Sequence, residues 1–550
     1  MAAIREESIN CLLVQTRFSA YSFWNYGEVC RIVGAKYPAA PLGLLTVAAL
    51  FPQEWNFLLV DENVGPLLDE HLLWADLVCT GGMLPQQKSI LDLIDRAHAA
   101  GKTVVVGGAD PTSQPGVYSK ADFLVLGEGE VTIPMFLEDF RKGVRAGTYI
   151  AEELADMLVS VVPRYDLIRF NDYIMIGMQF IRGCPFNCEF CDVIELFGRT
   201  PRFKTTSLIL KELQLLYDLG YRGHIDMVDD NFIGNRKKVK ELLREVRAWL
   251  QERKHPFFFT TEASLDLAGD EELLGLMRDC DFRYVFLGIE TPENDTLVIH
   301  QKKQNVGKSI GAAVLKILSY GIVCNGGYII GFDSDSRQIA RNMSQSIQSS
   351  GIAMAMIGLL YALPNTQLTR RLEAEGRLFH LSSRNVGDDD VDQMTSGLNF
   401  ATRTPRKEIL RNYIRVLETV YRPDLYYKRV TYTGLNLRPE YRYKPSFRVT
   451  LIYLRSFLRV CRRAGFSKET GILYWKMIAT LLVRNPKGLE AAVNLATMFI
   501  HFRKQKDFIV GSAYDALTVL DGIGEAEYNA GMMDAGCQVL PAGRIASAIQ

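Results

Sequence analysis

Residues 182 to 192 read Arg-Gly-Cys-Pro-Phe-Asn-Cys-Glu-Phe-Cys-Asp and place Cys184, Cys188 and Cys191 in a C-x3-C-x2-C run. Three thiolates on one short loop suit a four-iron, four-sulfur cluster in which the protein holds three irons and leaves the fourth open to an exogenous ligand. The open iron makes such a site a reaction centre. A structural zinc site favours four ligands in paired spacing, and no partner His or Cys lies nearby. The other cysteines, Cys11, Cys30, Cys79, Cys280, Cys324, Cys461 and Cys537, are scattered singly. That is the pattern of reduced, packed thiols, so a cytosolic location is expected.

The elements that must position this loop alternate as β then α from Tyr173 onward. Expected strands are Gly177 to Ile181, His224 to Val228, Phe257 to Thr261, Tyr284 to Ile289, Ile322 to Ile330 and Ala353 to Leu360. Thr206 or Ser207 can cap a helix whose apolar positions Leu208, Ile209, Leu213 and Leu216 share a face before Gly220 stops it. Six parallel strands with outer helices make a three-quarter barrel, with its active site at the carboxyl ends of the strands. The first strand runs into the cysteine loop. Later ones end in Asp229-Asp230-Asn231, Glu262, Gly288-Ile289-Glu290, Gly326-x4-Gly331 and Leu363-Pro364-Asn365-Thr366. One acidic strand end is usually a cap or salt-bridge partner; recurrence at the same end of successive strands points to a site. Lys302-Lys303-Gln304-Asn305 reads either as a solvated turn or as a binder of carboxylate or phosphate.

Ahead of this barrel, Cys11 to Gln15, Phe57 to Val60, Leu77 to Thr80, Thr103 to Val106 and Phe123 to Leu126 are short apolar runs separated by helical stretches. They predict a doubly wound parallel sheet with a ligand crevice beyond its strand ends. Asp61-Glu62-Asn63, Gly81-Gly82, Gly107-Gly108 and Gly127-Glu128-Gly129-Glu130 punctuate those ends, and glycines there let backbone approach a large flat ligand. A G-x-G-x-x-G turn opening a helix is lacking, which argues against a dinucleotide.

The cysteine spacing, with aromatic Phe190 just before Cys191, resembles the signature of the radical S-adenosylmethionine (SAM) superfamily. With the front domain, with VDDNFIGN at 228 to 235 and with ALPNTQL at 362 to 368, the chain resembles the cobalamin-dependent members, including the hopanoid C2-methylase type. The resemblance implies a [4Fe-4S] cluster on the three cysteines. It implies SAM held by the cluster and by Phe190, Asp229, Asp230, Asn231, Glu262, Gly288, Glu290, Gly326 and Gly331. Here Asp229-Asp230 replaces the family's more usual Gly-Gly-Glu. It assigns Asp61, Glu62, Asn63, Gly81, Gly82, Gly107, Gly108, Gly127 and Glu128 to cobalamin. Residues 16 to 35 contain no histidine, so the cobalt should lack a histidine ligand, and His98 reads as a surface residue near a helix end.

The implied activity is methyl transfer to an unactivated carbon of a small apolar substrate, lipid or terpenoid-like. It would use a 5′-deoxyadenosyl radical, methylcobalamin and an electron donor such as flavodoxin or ferredoxin. The alternatives are a cobalamin-dependent oxidative cyclase or rearrangement enzyme on a porphyrinoid or other natural product, and a redox-sensing or binding iron-sulfur protein.

Length and charge organise the rest. The 550 residues carry equal numbers of acidic and basic side chains, so the whole-chain charge gives no sign of a nucleic-acid partner. Neither a signal-peptide order nor an apolar run of about 18 residues is present, so no membrane span is expected. Residues 421 to 506 nevertheless hold 18 Lys/Arg against 4 Asp/Glu. Expected helices there are 405 to 421, 446 to 463, 469 to 483 and 487 to 505. Arg448, Arg455, Arg459, Arg462 and Arg463 flank one apolar face, making this module a candidate for peripheral contact with the inner face of a membrane. The expected order is a cobalamin-type domain over 1–145, a linker over 146–172, the barrel over 173–371, a basic helical domain over 372–506 and a poorly ordered tail over 507–550.

Overall fold

The β-branched runs of the front third pair as a parallel sheet in the computed structural model, which describes residues 8–19, 21–23, 25–379 and 397–534. The strands are β1 (Asn10–Gln15), β2 (Tyr37–Ala39), β3 (Asn56–Asp61), β4 (Leu77–Gly81), β5 (Thr103–Gly107), β6 (Phe123–Leu126) and β7 (Gly147–Ile150). All but β2 belong to this sheet, in the order β3-β1-β4-β5-β6-β7. Its faces bury alternate residues: Leu12, Val14, Val78, Val104 and Val106 on one side, Cys11, Leu13, Cys79, Val105 and Val125 on the other. Burial of both faces is why these strands read as continuous apolar runs. The edge strand β7 buries only Tyr149 and so carries little apolar signal; it places the end of this sheet beyond residue 145.

The second sheet has seven parallel strands rather than six. β11 (Gly223–Met227), β12 (Phe257–Ala263), β13 (Phe282–Glu290), β14 (Val323–Ile330) and β15 (Ala355–Leu359) match the expected barrel, whereas its first strand is β8 (Tyr173–Met178), four residues ahead of the expected Gly177 to Ile181, with β9 (Ile181–Arg182) and β10 (Arg202–Phe203) forming a short antiparallel ladder beside the cysteine loop. The seventh is β2, from the front of the chain, which pairs with β8 through Tyr37 opposite Tyr173 and Ala39 opposite Met175. The first barrel helix, Thr206–Asp218, is capped by the Thr205 hydroxyl, one residue before the expected cap. The fold is therefore α/β, with a doubly wound sheet, a curled partial barrel and a helical rear.

The rear differs from expectation in two places. A helix at Pro423–Asn436, started by proline at its first position, lies between two expected ones. The last long helix, Leu489–Ile523, continues through the stretch read as a poorly ordered tail and is followed by Glu525–Asp534. Ile509, Ala513, Leu517 and Leu520 are buried along one stripe of that continuation, which is what holds it helical. Residues 535–550 of the expected tail lie outside the described residues.

Candidate active site

The cysteine loop leaves β9 and is fixed from both sides. Gly183 has φ +86, and a Cβ there would stand 2.9 Å from the carbonyl oxygens of Phe197 and Gly198, so glycine is required. Cys184 Sγ lies 3.9 Å from Asn231 Nδ2 and Cys188 Sγ 3.6 Å from Gln304 Nε2. Burial raises all three thiols, and the Lys302 ammonium opposes it at each. Amide donors on two sulfurs and a nearby cation suit an anionic iron-sulfur group. Among the described residues no three His, Cys, Asp or Glu side chains converge on a single ion position.

Two side-chain clusters lock the loop, and neither was legible as a motif. Glu189 accepts from Arg371 Nε at 2.6 Å and pairs with His300 Nδ1 at 2.7 Å, and its neighbours hold it in the ionised form well below the usual range despite burial. Asn187, Gln301 and Gln367 close a ring of amide bonds of 2.6, 3.0 and 3.1 Å. Phe190 stands edge-on to Phe332 with centroids 5.7 Å apart. Loop, fourth-strand turn and the helix Gln367–Ala374 are thereby one assembly.

Inside the barrel, period-two alternation decides which expected residues line the cavity. Asp226, Thr260 and Glu262 lie on the inward positions of β11 and β12, with Phe286, Ile329 and Met356 as apolar lining, while Phe258 is taken up by His224, stacked on it at 4.9 Å, and by Tyr443. Asp229 is spent on structure: its Oδ1 accepts from Phe180 N at 2.7 Å and also from Ile181 N. Burial raises Asp229 to about 8 and Asp230 to about 6. Asp230 Oδ2, Asn231 Oδ1 and Asn325 Oδ1 are buried without a partner. An acceptor-rich wall of this kind fits a ligand bearing ammonium, hydroxyl and amino donors, as SAM does.

Glu290, in a left-handed conformation at φ +67, pairs with Lys302 at 2.6 Å, and a Cβ on Gly288 would stand 2.9 Å from the Glu290 carboxylate and 3.0 Å from the Lys302 ammonium. Lys302 is thus buried beside the cysteines rather than in a solvated turn. Asn305 donates to the carbonyl of Gly288 at 2.8 Å. Two expected glycines serve packing instead. Gly326 turns its open side to Ile289 and Ile352 in the outer layer, while Gly327 is the inward one, and Gly331 (φ +110) abuts Leu398. Asn365 takes φ +64, a conformation asparagine tolerates.

Glu262 is exposed to the cavity yet enclosed by protein, so it is half-desolvated rather than solvated. Burial first, then Asp226, Asp230 and Asp229, raise its pKa to about 8. The folded state therefore holds a proton that the unfolded chain loses near the ordinary value of 4.5, so stability falls as pH rises across that interval. Glu262→Gln is expected to flatten this fall in urea titrations run from pH 5 to about 8; an unchanged slope would mean that Glu262 is ionised in the folded protein.

At the front sheet the expected cobalamin residues are largely engaged with one another. Asp61 accepts from Asn63 N at 2.9 Å, Asn63 Nδ2 at 2.8 Å and Tyr173 Oη at 3.0 Å, and Asn63 Oδ1 accepts from Phe18 N. A Cβ on Gly81 would meet the Gly107 carbonyl and one on Gly108 would lie 2.7 Å from Gly82 N, so these turns need glycine to pack on each other. Gly82 packs on the Gln86 side chain, Gly107 on the Val125 carbonyl, and Gly127 takes φ +85 with open space beside it. Glu62 is half-buried and raised by that burial. Glu128 accepts from Arg202 Nη1 at 2.7 Å, Arg182 Nη1 at 3.0 Å and Ala155 N at 2.6 Å, while Glu130 accepts from Arg182 at 2.8 Å. This turn thus grips the base of the cysteine loop. A flat ligand at this edge would meet backbone rather than these carboxylates. His98 pairs with Asp122 at 3.0 Å at the surface.

A partial barrel with three cysteines at the carboxyl end of its first strand defines the radical SAM class, and residues 178–339 match the model of the radical SAM superfamily. The chain belongs to that superfamily, in the group of the hopanoid C-2 methylase. It is 33% identical to the hopanoid C-2 methylase of Rhodopseudomonas palustris, over 81% of this chain and 84% of that one. It is 39% identical to an uncharacterized methyltransferase of Synechocystis sp., over 89% and 90%. Residues 366–512 match a domain of unknown function, DUF4070. The cobalamin-dependent radical SAM enzyme OxsB shares the fold, with a TM-score of 0.57 at 16% identity over 96% of this chain and 84% of that one. The protein is accordingly an enzyme, a radical SAM methyltransferase, and the sensing or binding alternative falls away.

Proposed function

We propose that the protein is a cobalamin-dependent radical SAM C-methyltransferase whose substrate is an apolar lipid or terpenoid. The observation that carries this reading is the likeness to the hopanoid C-2 methylase, which spans more than four fifths of both chains. The barrel interior agrees with it, because Phe286, Ile329 and Met356 add apolar inward side chains beside the unpartnered acceptors of Asp230, Asn231 and Asn325. When bound, the cluster and SAM supply hydrogen-atom abstraction from an unactivated carbon, and cobalamin supplies the methyl group.

The chain's own work is to bind, orient and exclude water. Cys184, Cys188 and Cys191 hold the cluster, with Asn231, Gln304 and Lys302 compensating its charge. Glu189, His300 and Arg371 keep the loop in place from beneath. Asp230, Asn231 and Glu262 would accept from the donors of SAM. The backbone of the turns at Gly82, Gly108 and Gly127 offers the surface for cobalamin, which OxsB binds on the same fold. Hydrogen-atom abstraction needs no general acid or base, so the unpaired carboxylates are read as binding groups.

The test is anaerobic incubation of reconstituted protein with reductant, SAM, methylcobalamin and a hopanoid lipid, followed by mass spectrometry. A product heavier by one methylene, labelled when the SAM methyl group is labelled, is the expected result. Cleavage of SAM without methylation of any lipid in a cell extract would overturn the substrate class. A dehydrogenated or ring-closed product would replace methyl transfer with cyclisation.

A further inference from the structure

The helix Phe447–Val460, inside the region matched by the domain of unknown function, turns its apolar side outward. Phe447, Leu451, Leu454 and Leu458 recur at helical spacing and are 80%, 39%, 53% and 58% exposed, while Val449, Ser456 and Val460 face the protein. A continuous exposed apolar stripe of this length is unusual on a folded surface and marks a contact. Arg448, Arg455, Arg459 and Arg462 run beside it at spacings of seven, four and three, one step round the helix.

Beyond Val460 a five-residue π turn, Cys461–Gly465, opens a cavity of about 540 Å³ lined by Arg31, Arg459, Arg462 and Arg463. The carboxylate facing it is Glu28, shared among Arg31 at 2.5 Å, Lys504 at 2.9 Å and Arg463 at 3.2 Å. Arg459 donates to the Ile32 carbonyl at 2.8 Å, and Arg462 is exposed. Three cations share one carboxylate, and Arg459 and Arg462 add two more to the lining, leaving an excess of positive charge in a concave site.

We propose that this face docks on an anionic lipid membrane, with a headgroup phosphate seated among Arg31, Arg459, Arg462 and Arg463 and the Phe447–Leu458 stripe set among the acyl chains. Guanidinium groups match phosphate oxygens in geometry as well as charge, and an apolar stripe bordered by arginines is the pattern of an interfacial helix. A second copy of the chain fits worse, because a twofold contact would set one arginine cluster against the other. A soluble phosphate would use the pocket but leave the stripe unexplained. Among the described residues no helix is long and apolar enough to cross a membrane, so the contact would be peripheral.

The helix Gly27–Val33 carries Arg31 on the pocket. The proposal stands on this surface and not on the identity of the substrate, although an apolar lipid substrate gives it a purpose.

The test is cosedimentation of the full chain with vesicles of phosphatidylcholine alone and of phosphatidylcholine mixed with phosphatidylglycerol. At low salt the mixed vesicles are expected to bind at least about tenfold more tightly, with loss of binding at high salt. Arg462→Glu and, separately, Leu454→Glu should each reduce that binding about tenfold or more, with unchanged thermal unfolding of the free protein. Replacing chloride by inorganic phosphate at equal ionic strength should not release the protein.

Equal binding to both vesicle types, or none to either, overturns the proposal. So does release by phosphate alone, which would mean a soluble-anion site, or a dimer in sedimentation velocity that Leu454→Glu dissociates, which would mean a second copy. Cleavage of SAM is measured on the same preparations, so its failure beside intact vesicle binding counts against the enzymatic reading only.

Discussion

Cys188→Ala is expected to abolish reductive cleavage of SAM, leaving no detectable 5′-deoxyadenosine. Three loop thiolates are available for three irons, so removing one leaves an iron corner without a protein ligand. Among the described residues the six cysteines outside the loop are all buried, Cys280 and Cys324 in the core of the barrel. The Cys188 thiol is itself buried and touched by the Gln304 amide, and a small apolar residue there leaves that amide without its sulfur partner. Iron analysis and electron paramagnetic resonance of the anaerobically reconstituted variant check it. Full iron occupancy with normal cleavage would remove the central claim.

The second large effect falls on stability. Glu128→Ala is expected to destabilise the protein by about 3–5 kcal/mol, the range for breaking a buried ion pair from one side. The Glu128 side chain is 2% exposed and is shared by Arg182 and Arg202, themselves 12% and 18% exposed, so its loss strands guanidinium groups in a poorly solvated place. Glu130 can still hold Arg182 through bonds of 2.8 and 2.9 Å, but Arg202 keeps only carbonyl partners. Urea unfolding measures the loss. Iron retention measures whether the cysteine loop, which begins two residues after Arg182, loosens with it. A change below about 1 kcal/mol, the range of a solvated surface pair, would show that the arginines reach water.

The parts that local chemistry dictates were legible in the sequence. Cys184, Cys188 and Cys191 sit on one loop, so spacing alone describes them, and the front strands bury both faces, so their apolar runs are unbroken. The parts set by distant partners were not. Glu189 meets His300 and Arg371 across more than a hundred residues, and Glu128 looks like one more strand-end carboxylate until Arg202 arrives beside it. Alternation along β14 could have separated inward Gly327 from outward Gly326, but only once the strand's phase was known. The helix Leu489–Ile523 hid its second half because Gly511 and Gly522 and many small residues dilute a stripe that is nonetheless present at Ile509, Ala513, Leu517 and Leu520.

The strand β2 has a consequence for how the chain is made. Synthesis runs from the amino terminus, so β2 leaves the ribosome long before β8, its partner in the sheet, exists. At about 5–20 residues per second the wait is on the order of ten seconds. Throughout it the front sheet can close by itself, since β1, β3, β4, β5 and β6 all precede β8, while Tyr37 and Ala39 present an unpaired strand edge. The nascent front domain therefore matures with one segment held open for its successor. A ribosome stalled just before residue 173 should carry a folded sheet in which the segment around Tyr37 is still cut by protease, and one stalled well past residue 263, with β8, β11 and β12 emerged, should carry it protected.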